Sequence, residues 1–224
     1  MSRTRIGVLA SGGGSNLQAI LDHLAALGDA RAGDVVLVAS NSRDAGALQR
    51  AEHASIARAV LRSPRAPDGV ELQPLLLEHA IELVVLAGYM RLVPPEVTHS
   101  YRGRMLNVHP ALLPSFGGPG MYGSRVHRAV IAAGARESGP TVHFVDEVYD
   151  HGPIIAQWPV PVLPDDDEHT LAARVLRAEH LLYPPVVDAV AAGTVRLLAD
   201  GRVERGPFAD PRYLLEHASH SPSP

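Results

Sequence analysis

The sequence predicts an α/β fold, a Rossmann-like and mostly parallel sheet with helices on both faces. Three observations carry this. Short β-branched runs alternate with amphipathic stretches from residue 5 to about 110. The apolar runs are near-continuous, as strands covered on both faces require. A run of glycines, Gly12-Gly13-Gly14, joins the first strand to the first helix.

Taken in order, residues 5–10 read as a strand and 15–28 as a helix. Leu17, Ile20, Leu21 and Leu24 fall at i, i+3, i+4 and i+7, which puts one apolar stripe against the sheet. Residues 34–40, 57–61, 83–88 and 104–109 read as buried strands. Helices over 45–53 and 70–80 separate them, with Pro74 counting against the second. After residue 110 the texture changes. A Pro/Gly-rich stretch runs over 110–123, followed by a helix near 126–133 and strands at 141–145 and 154–162 that extend the same sheet. Residues 169–192 read as a long helix interrupted at Pro184-Pro185, then a hairpin turns at Asp200-Gly201. Residues 218–224 read as a disordered tail. No internal repeat or linker composition appears, so one domain over 1–217 is expected.

The 224 residues are 46% hydrophobic with net charge -4, which suits a globular chain with a sizeable core. No apolar run reaches the ~20 residues of a membrane helix, and no leader precedes the first strand, so a cytoplasmic protein off the membrane is expected. There is no cysteine, which removes disulfides, thiolate metal sites and a thiol nucleophile. All 20 basic residues are Arg, which removes a Schiff-base lysine and the lysine of a P-loop. Charges of both signs are interspersed without a basic stripe, so nucleic acid is not expected and a small-molecule substrate is.

Three segments carry candidate chemistry. In Gly12-Gly13-Gly14-Ser15-Asn16, free amides and the positive end of a helix dipole converge, which would hold a phosphate without a basic side chain. The same residues also suit a plain strand-to-helix turn capped by Ser15 or Asn16. The spacing is not G-x-G-x-x-G, which disfavours a dinucleotide. In Asn107-Val108-His109-Pro110, strand alternation puts Asn107 and His109 on one side at a carboxyl end, where open α/β sheets bind ligands; a polar strand end explains the pair as well. Asp150-His151-Gly152-Pro153 reads alone as a turn. His143, Asp146, Asp150 and His151 could converge on a metal, but no His pair has the spacing of a helical zinc motif, so no metal is expected.

Together the segments say more. Asn107-x-His109-Pro110-x-Leu112-Leu113-Pro114, followed some 40 residues on by Asp150-x-Gly152-Pro153, resembles the folate-dependent formyltransferases. Ser11 to Gln18 (SGGGSNLQ), Val84 to Arg91 (VVLAGYMR) and Ala178-Glu179-His180 before Tyr183-Pro184 are similar to the branch of that family acting on glycinamide ribonucleotide in purine synthesis. The resemblance spans about residues 5–193. It implies the formyltransferase fold, a nucleotide-phosphate half over about 1–105 and a catalytic, folate half over about 106–200. The implied reaction moves a formyl group from 10-formyltetrahydrofolate to the amine of glycinamide ribonucleotide, with no metal and no covalent enzyme intermediate, by a monomer or homodimer. Asn107 would meet the formyl oxygen, His109 would act as general acid, and Asp150 would orient and tune His109. Gly14, Ser15 and Asn16 would hold the phosphate and Glu179 the ribose. Met90, Arg91, Leu92, Val93, Asn107 and Asp146 would line the folate site, although core packing explains Met90 and Leu92 equally well.

One segment departs from the family. The link over 117–126 is several residues longer than usual and reads as a flap beside the substrate. Rival readings are a formyltransferase acting on methionyl-tRNA or a sugar amine, a formyltetrahydrofolate hydrolase, or a non-catalytic nucleotide module. The tRNA enzyme is expected to carry a basic C-terminal domain and the hydrolase an extra N-terminal one, and neither is expected here.

Overall fold

A computed structural model describes residues 2–61 and 71–206. The chain runs β1 (Thr4–Leu9), α1 (Ser15–Leu27), β2 (Gly33–Ser40), α2 (Gly46–His53), β3 (Ala57–Val60), α3 (Leu72–Glu78), β4 (Leu83–Leu86), α4 (Pro95–Ser100) and β5 (Met105–His109). It continues through α5 (Ser124–Ala132), β6 (Glu137–Ser138), β7 (Thr141–Phe144), β8 (Ile154–Gln157), β9 (Val160–Pro161), α6 (Glu168–Ala191), β10 (Val195–Leu197) and β11 (Val203–Arg205). The expected tail and Val70, at the start of the expected second crossover helix, lie outside the described residues. Among the described residues, no helix is long and apolar enough to cross a membrane.

The central sheet has strand order β3-β2-β1-β4-β5-β7-β8. The first five strands in that order are parallel, and β7 and β8 join antiparallel. The chain leaves β1 for β2 on one side and returns to β4 on the other. The order therefore reverses between β1 and β4, and a crevice opens outside their carboxyl ends.

Period-two alternation sends side chains into two cores. Ile6, Val8, Val85, Leu106 and Val108 meet Leu17, Ile20 and Leu24 of α1 and Val175, Leu182 and Val186 of α6. Leu9, Val84, Leu86 and Met105 meet Leu72 and Leu76 of α3 and Val97 of α4 on the opposite face. Helices therefore cover both faces, as the sequence predicts.

Four local expectations are corrected. β3 is an edge strand, and Ala57 and Arg58 are exposed rather than buried. The single strand expected over 154–162 divides at Trp158-Pro159, because Pro159 has no N–H to continue a ladder; β9 pairs instead with β6. Pro74 sits in the first turn of α3, where its missing N–H costs nothing. The long helix is not interrupted. α6 runs through Pro184 and Pro185, which leave the carbonyls of His180 and Leu181 without their usual helical partners. Leu182, Tyr183, Val186 and Val187 are all buried around the two prolines, and packing of that face outweighs the lost bonds. α4 was not anticipated; it is one short turn begun by Pro95 at N1.

The start of α6 is fixed by a capping box. Asp167 accepts from His169 N (2.9 Å) and Thr170 N (2.8 Å), and Thr170 Oγ1 accepts from Asp167 N (2.9 Å). The β10–β11 hairpin forms around Asp200-Gly201 as expected. From it Arg205 donates to the carbonyls of Ile154 and Ile155 on the edge strand β8, each at 2.7 Å.

Candidate active site

A cavity of about 690 Å³ opens at the carboxyl ends of β4 and β5, against the first turn of α1. Its size suits a drug-sized ligand.

One wall is the glycine turn. Gly14 lies at φ +74, and a Cβ there would come 2.7 Å from Ala47 Cα, so only glycine fits. The turn is held from α2: Ala47 N donates to Gly12 O (3.1 Å) and Arg50 Nε to Gly13 O (2.8 Å). Gly14, not Ser15 or Asn16, is the N-cap of α1, and no side chain caps the helix. The capped-turn alternative therefore fails, and the first-turn amides remain available to an anion. Asn16 instead turns inward. Its Nδ2 donates to Glu179 Oε2 on α6 at 2.6 Å, and both residues are buried. Burial pushes the Glu179 carboxyl up to about 7, opposed by the Asn16 bond.

A second wall follows β4. Ser11 Oγ accepts from Met90 N (2.8 Å) and donates to Asn41 Oδ1 (2.5 Å), which ties the end of β1 to the segment after β4. Met90 and Leu92 are 49% and 44% exposed at the cavity, so core packing does not account for them. Arg91 also lines the cavity, and Val93 lines it while packing into the α3–α4 core.

The floor comes from β5 and β7. In their antiparallel register Asn107 lies opposite His143, and Asn107 and His109 share the face away from Leu106 and Val108. His143 Nδ1 faces Phe144 O at 2.8 Å. A carbonyl only accepts, so Nδ1 carries the proton and Nε2 accepts from Asn107 Nδ2 at 3.1 Å. Burial holds the His143 imidazole below the usual histidine range, in keeping with that neutral form. The Asn107 amide is thereby fixed, with one N–H committed and one free.

His109, 3% exposed, stands between two acceptors. Its Nε2 donates to Phe116 O at 2.8 Å, and its Nδ1 lies 3.4 Å from Asp150 Oδ2. Asp150, at φ +55, also accepts from Gly118 N at 3.0 Å. Gly152 makes this turn possible, because a Cβ there would come 1.9 Å from Phe144 O. Asp146 caps its own turn by accepting from Val148 N (2.9 Å) and pairs with His151 at 2.8 Å, while His143 faces Asn107. Among the described residues, no group of three or more His, Cys, Asp or Glu could hold a metal ion.

The structure thus brings Asn107, His109 and Asp150 together, with Asn16, Glu179, Asp146 and residues 90–93 around the same cavity. Gly14 and Ser15 stand at the mouth of the α1 turn without lining it. Sequence reasoning missed several members. His143 was weighed only as a metal ligand. The Phe116 carbonyl, Gly118 N–H, Ser11–Asn41 pair and His127 were not singled out for the site, and only the β5–β7 register or the path of the 117–123 loop would have revealed most of them.

The chain is similar to known proteins over most of its length. The family described as formyl transferase matches residues 4–187. The chloroplastic phosphoribosylglycinamide formyltransferase of Arabidopsis thaliana is 44% identical over 204 residues, 89% of this chain and 69% of that protein. The chain spans about two thirds of the length of such plant relatives. The Haemophilus influenzae phosphoribosylglycinamide formyltransferase is 38% identical over 86% of this chain and 90% of its own length. The crystal structure of the Anaplasma phagocytophilum phosphoribosylglycinamide formyltransferase superposes with TM-score 0.83 at 35% identity, covering 92% of this chain and 95% of that one. By a family match over most of its length and by relatives of this identity and coverage, the chain belongs to the formyl transferase family.

Proposed function

We propose that the protein transfers the formyl group of 10-formyltetrahydrofolate to the free amine of glycinamide ribonucleotide, a step of purine synthesis. One observation carries the reading: His109, Asp150 and the free N–H of Asn107 converge on the floor of a cavity that reaches from the half-exposed Met90 and Leu92 to the Asn16–Glu179 pair. The relatives named above supply the substrate class.

Acyl transfer between two nitrogens needs a donor for the developing oxyanion and a proton for the departing nitrogen. The free Asn107 N–H, oriented by His143, supplies the first. His109 supplies the second. Its Phe116 contact is short, whereas 3.4 Å to Asp150 exceeds an ordinary hydrogen bond, so Nδ1 is the nitrogen released to the substrate. Asp150 stabilises the charged ring until that proton moves. The uncapped first turn of α1 receives the phosphate, Glu179 the ribose hydroxyls, and residues 90–93 with Asp146 flank the pterin.

The test measures release of tetrahydrofolate with and without glycinamide ribonucleotide, for wild type and His109→Ala. Amine-dependent turnover that disappears in a folded His109→Ala protein supports the reading. Turnover without the amine points to a hydrolase, and none at all to a binding module.

A further inference from the structure

β4 ends at Leu86, and its backbone pairing with β1 runs out just beyond. Ala87 N donates to Leu9 O at 2.8 Å and Ser11 N to Gly88 O at 3.1 Å. The chain then turns away at Gly88, φ +73, and the ladder stops. A side chain makes the next bond: Ser11 Oγ accepts from Met90 N at 2.8 Å. Among the described residues this is the only hydrogen bond to the backbone of residues 89–93. Tyr89 and Val93 pack into the α3–α4 core at either end of the segment, while Met90 and Leu92 stand half-exposed at the cavity wall. Peptide groups need partners, so those of this segment are left to water or to a ligand.

Ser11 opens the run SGGGSN, whose later members form the nucleotide end in the reading above. Its hydroxyl is committed elsewhere. Met90 N–H can only donate, so Ser11 Oγ accepts from it, and the single hydroxyl hydrogen goes to Asn41 Oδ1 at 2.5 Å. Asn41, Ser11 and Met90 therefore form one row past the carboxyl ends of the adjacent strands β2, β1 and β4. Asn41 sets the rotation of the hydroxyl, and the hydroxyl sets where Met90 sits.

We propose that Ser11 is a positioning residue for the formyl donor, holding the 88–93 segment in the shape that receives the pterin. This rests on the formyl-transfer reading above. Ser11 acts through Met90 N and touches no reacting atom. Without the hydroxyl the segment is free to take several positions, and the donor must order it on binding. That cost falls on the affinity for the donor and spares the nucleotide. It also spares the transfer itself, because Asn107 and His109 stand on β5 and Asp150 in the turn before β8, none of them bonded to Ser11.

The experiment compares wild type, Ser11→Ala, Ser11→Thr and Asn41→Ala by steady-state kinetics, each substrate varied in turn, with thermal melts to confirm folding. Ser11→Ala should raise the KM for 10-formyltetrahydrofolate by about tenfold, the loss of one well-made hydrogen bond. The KM for glycinamide ribonucleotide and kcat should stay within about twofold of wild type. Calorimetric binding of tetrahydrofolate alone should weaken by the same factor as the donor KM. Ser11→Thr, which keeps the hydroxyl, should bring the donor KM back towards wild type, and Asn41→Ala, which frees the hydroxyl to rotate, should raise it. An unchanged donor KM in a folded Ser11→Ala or Asn41→Ala protein overturns the proposal. So does an equal rise in both KM values, which a general loosening of the glycine turn would give, or a Ser11→Thr protein as impaired as Ser11→Ala. Wild type without amine-dependent turnover sinks the formyl-transfer reading and this inference with it, whereas normal wild-type turnover with an unmoved donor KM sinks this inference alone.

Discussion

Asn16 and Glu179, 163 positions apart in the chain, share a buried 2.6 Å hydrogen bond that joins α1 to α6 at the cavity. The carboxyl in that bond titrates near 7 because burial disfavours its charge. The folded protein therefore holds a proton that the unfolded chain, titrating near 4.5, has released. The resulting stability is complete below about pH 4.5, declines as pH rises to about 7, and is flat above that. Its ceiling is about 3 kcal/mol. Melts of wild type and Glu179→Gln across this window should diverge, with wild type losing stability and the variant not. Parallel curves would show that Glu179 is ionised throughout.

Gly14→Ala places a methyl against the Ala47 backbone in a left-handed conformation. The expected cost is about 1–3 kcal/mol of stability, from strain at the turn and displacement of α2. Binding of inorganic phosphate and of glycinamide ribonucleotide, measured calorimetrically, should weaken together. A loss confined to folate binding would contradict this assignment.

Asn107→Ala removes the partner of His143 and, in the proposed reaction, the oxyanion donor. Turnover should fall by about 10²–10³ through kcat. Asp150→Asn keeps the shape of the turn but not the negative charge beside His109, and should lower kcat by about 10²–10⁴. If either substitution acts on KM alone, the residue binds substrate and takes no part in the transfer.

Tyr183 is fully buried, and its hydroxyl reaches the carbonyls of Leu86 at 3.0 Å and Leu106 at 3.2 Å, linking α6 to β4 and β5. Tyr183→Phe leaves those carbonyls short of a donor and should destabilise the protein by about 1–3 kcal/mol. Chemical denaturation reads this directly, and an unchanged midpoint would mean that the hydroxyl adds nothing.

Much of the parallel half is legible in sequence because buried parallel strands are continuous apolar runs, as in Leu83–Leu86, and α1 shows its stripe plainly. β3 was misread because Ala57-Arg58-Ala59-Val60 carries strand residues without revealing that it lies at the sheet edge. Pro184-Pro185 misled in the opposite direction, since local propensity favours a break and only the surrounding core overrides it. At the site, Asn107, His109 and Asp150 stand out by residue type and resemblance. His143 does not, because its role depends on a cross-strand register that single-chain periodicity cannot supply.

The closure of α6 onto α1 also fixes a sequence of events in time. Asn16 leaves the ribosome long before Glu179, so the end of the cavity proposed to hold phosphate and ribose cannot be assembled while the chain is still short. On the proposed reading, a nascent chain therefore cannot yet bind the nucleotide. A ligand that bridges the two helices in the finished protein acts as a clasp across the longest-range contact of the site. Bound nucleotide should accordingly slow opening of α6 and protect it from proteolysis.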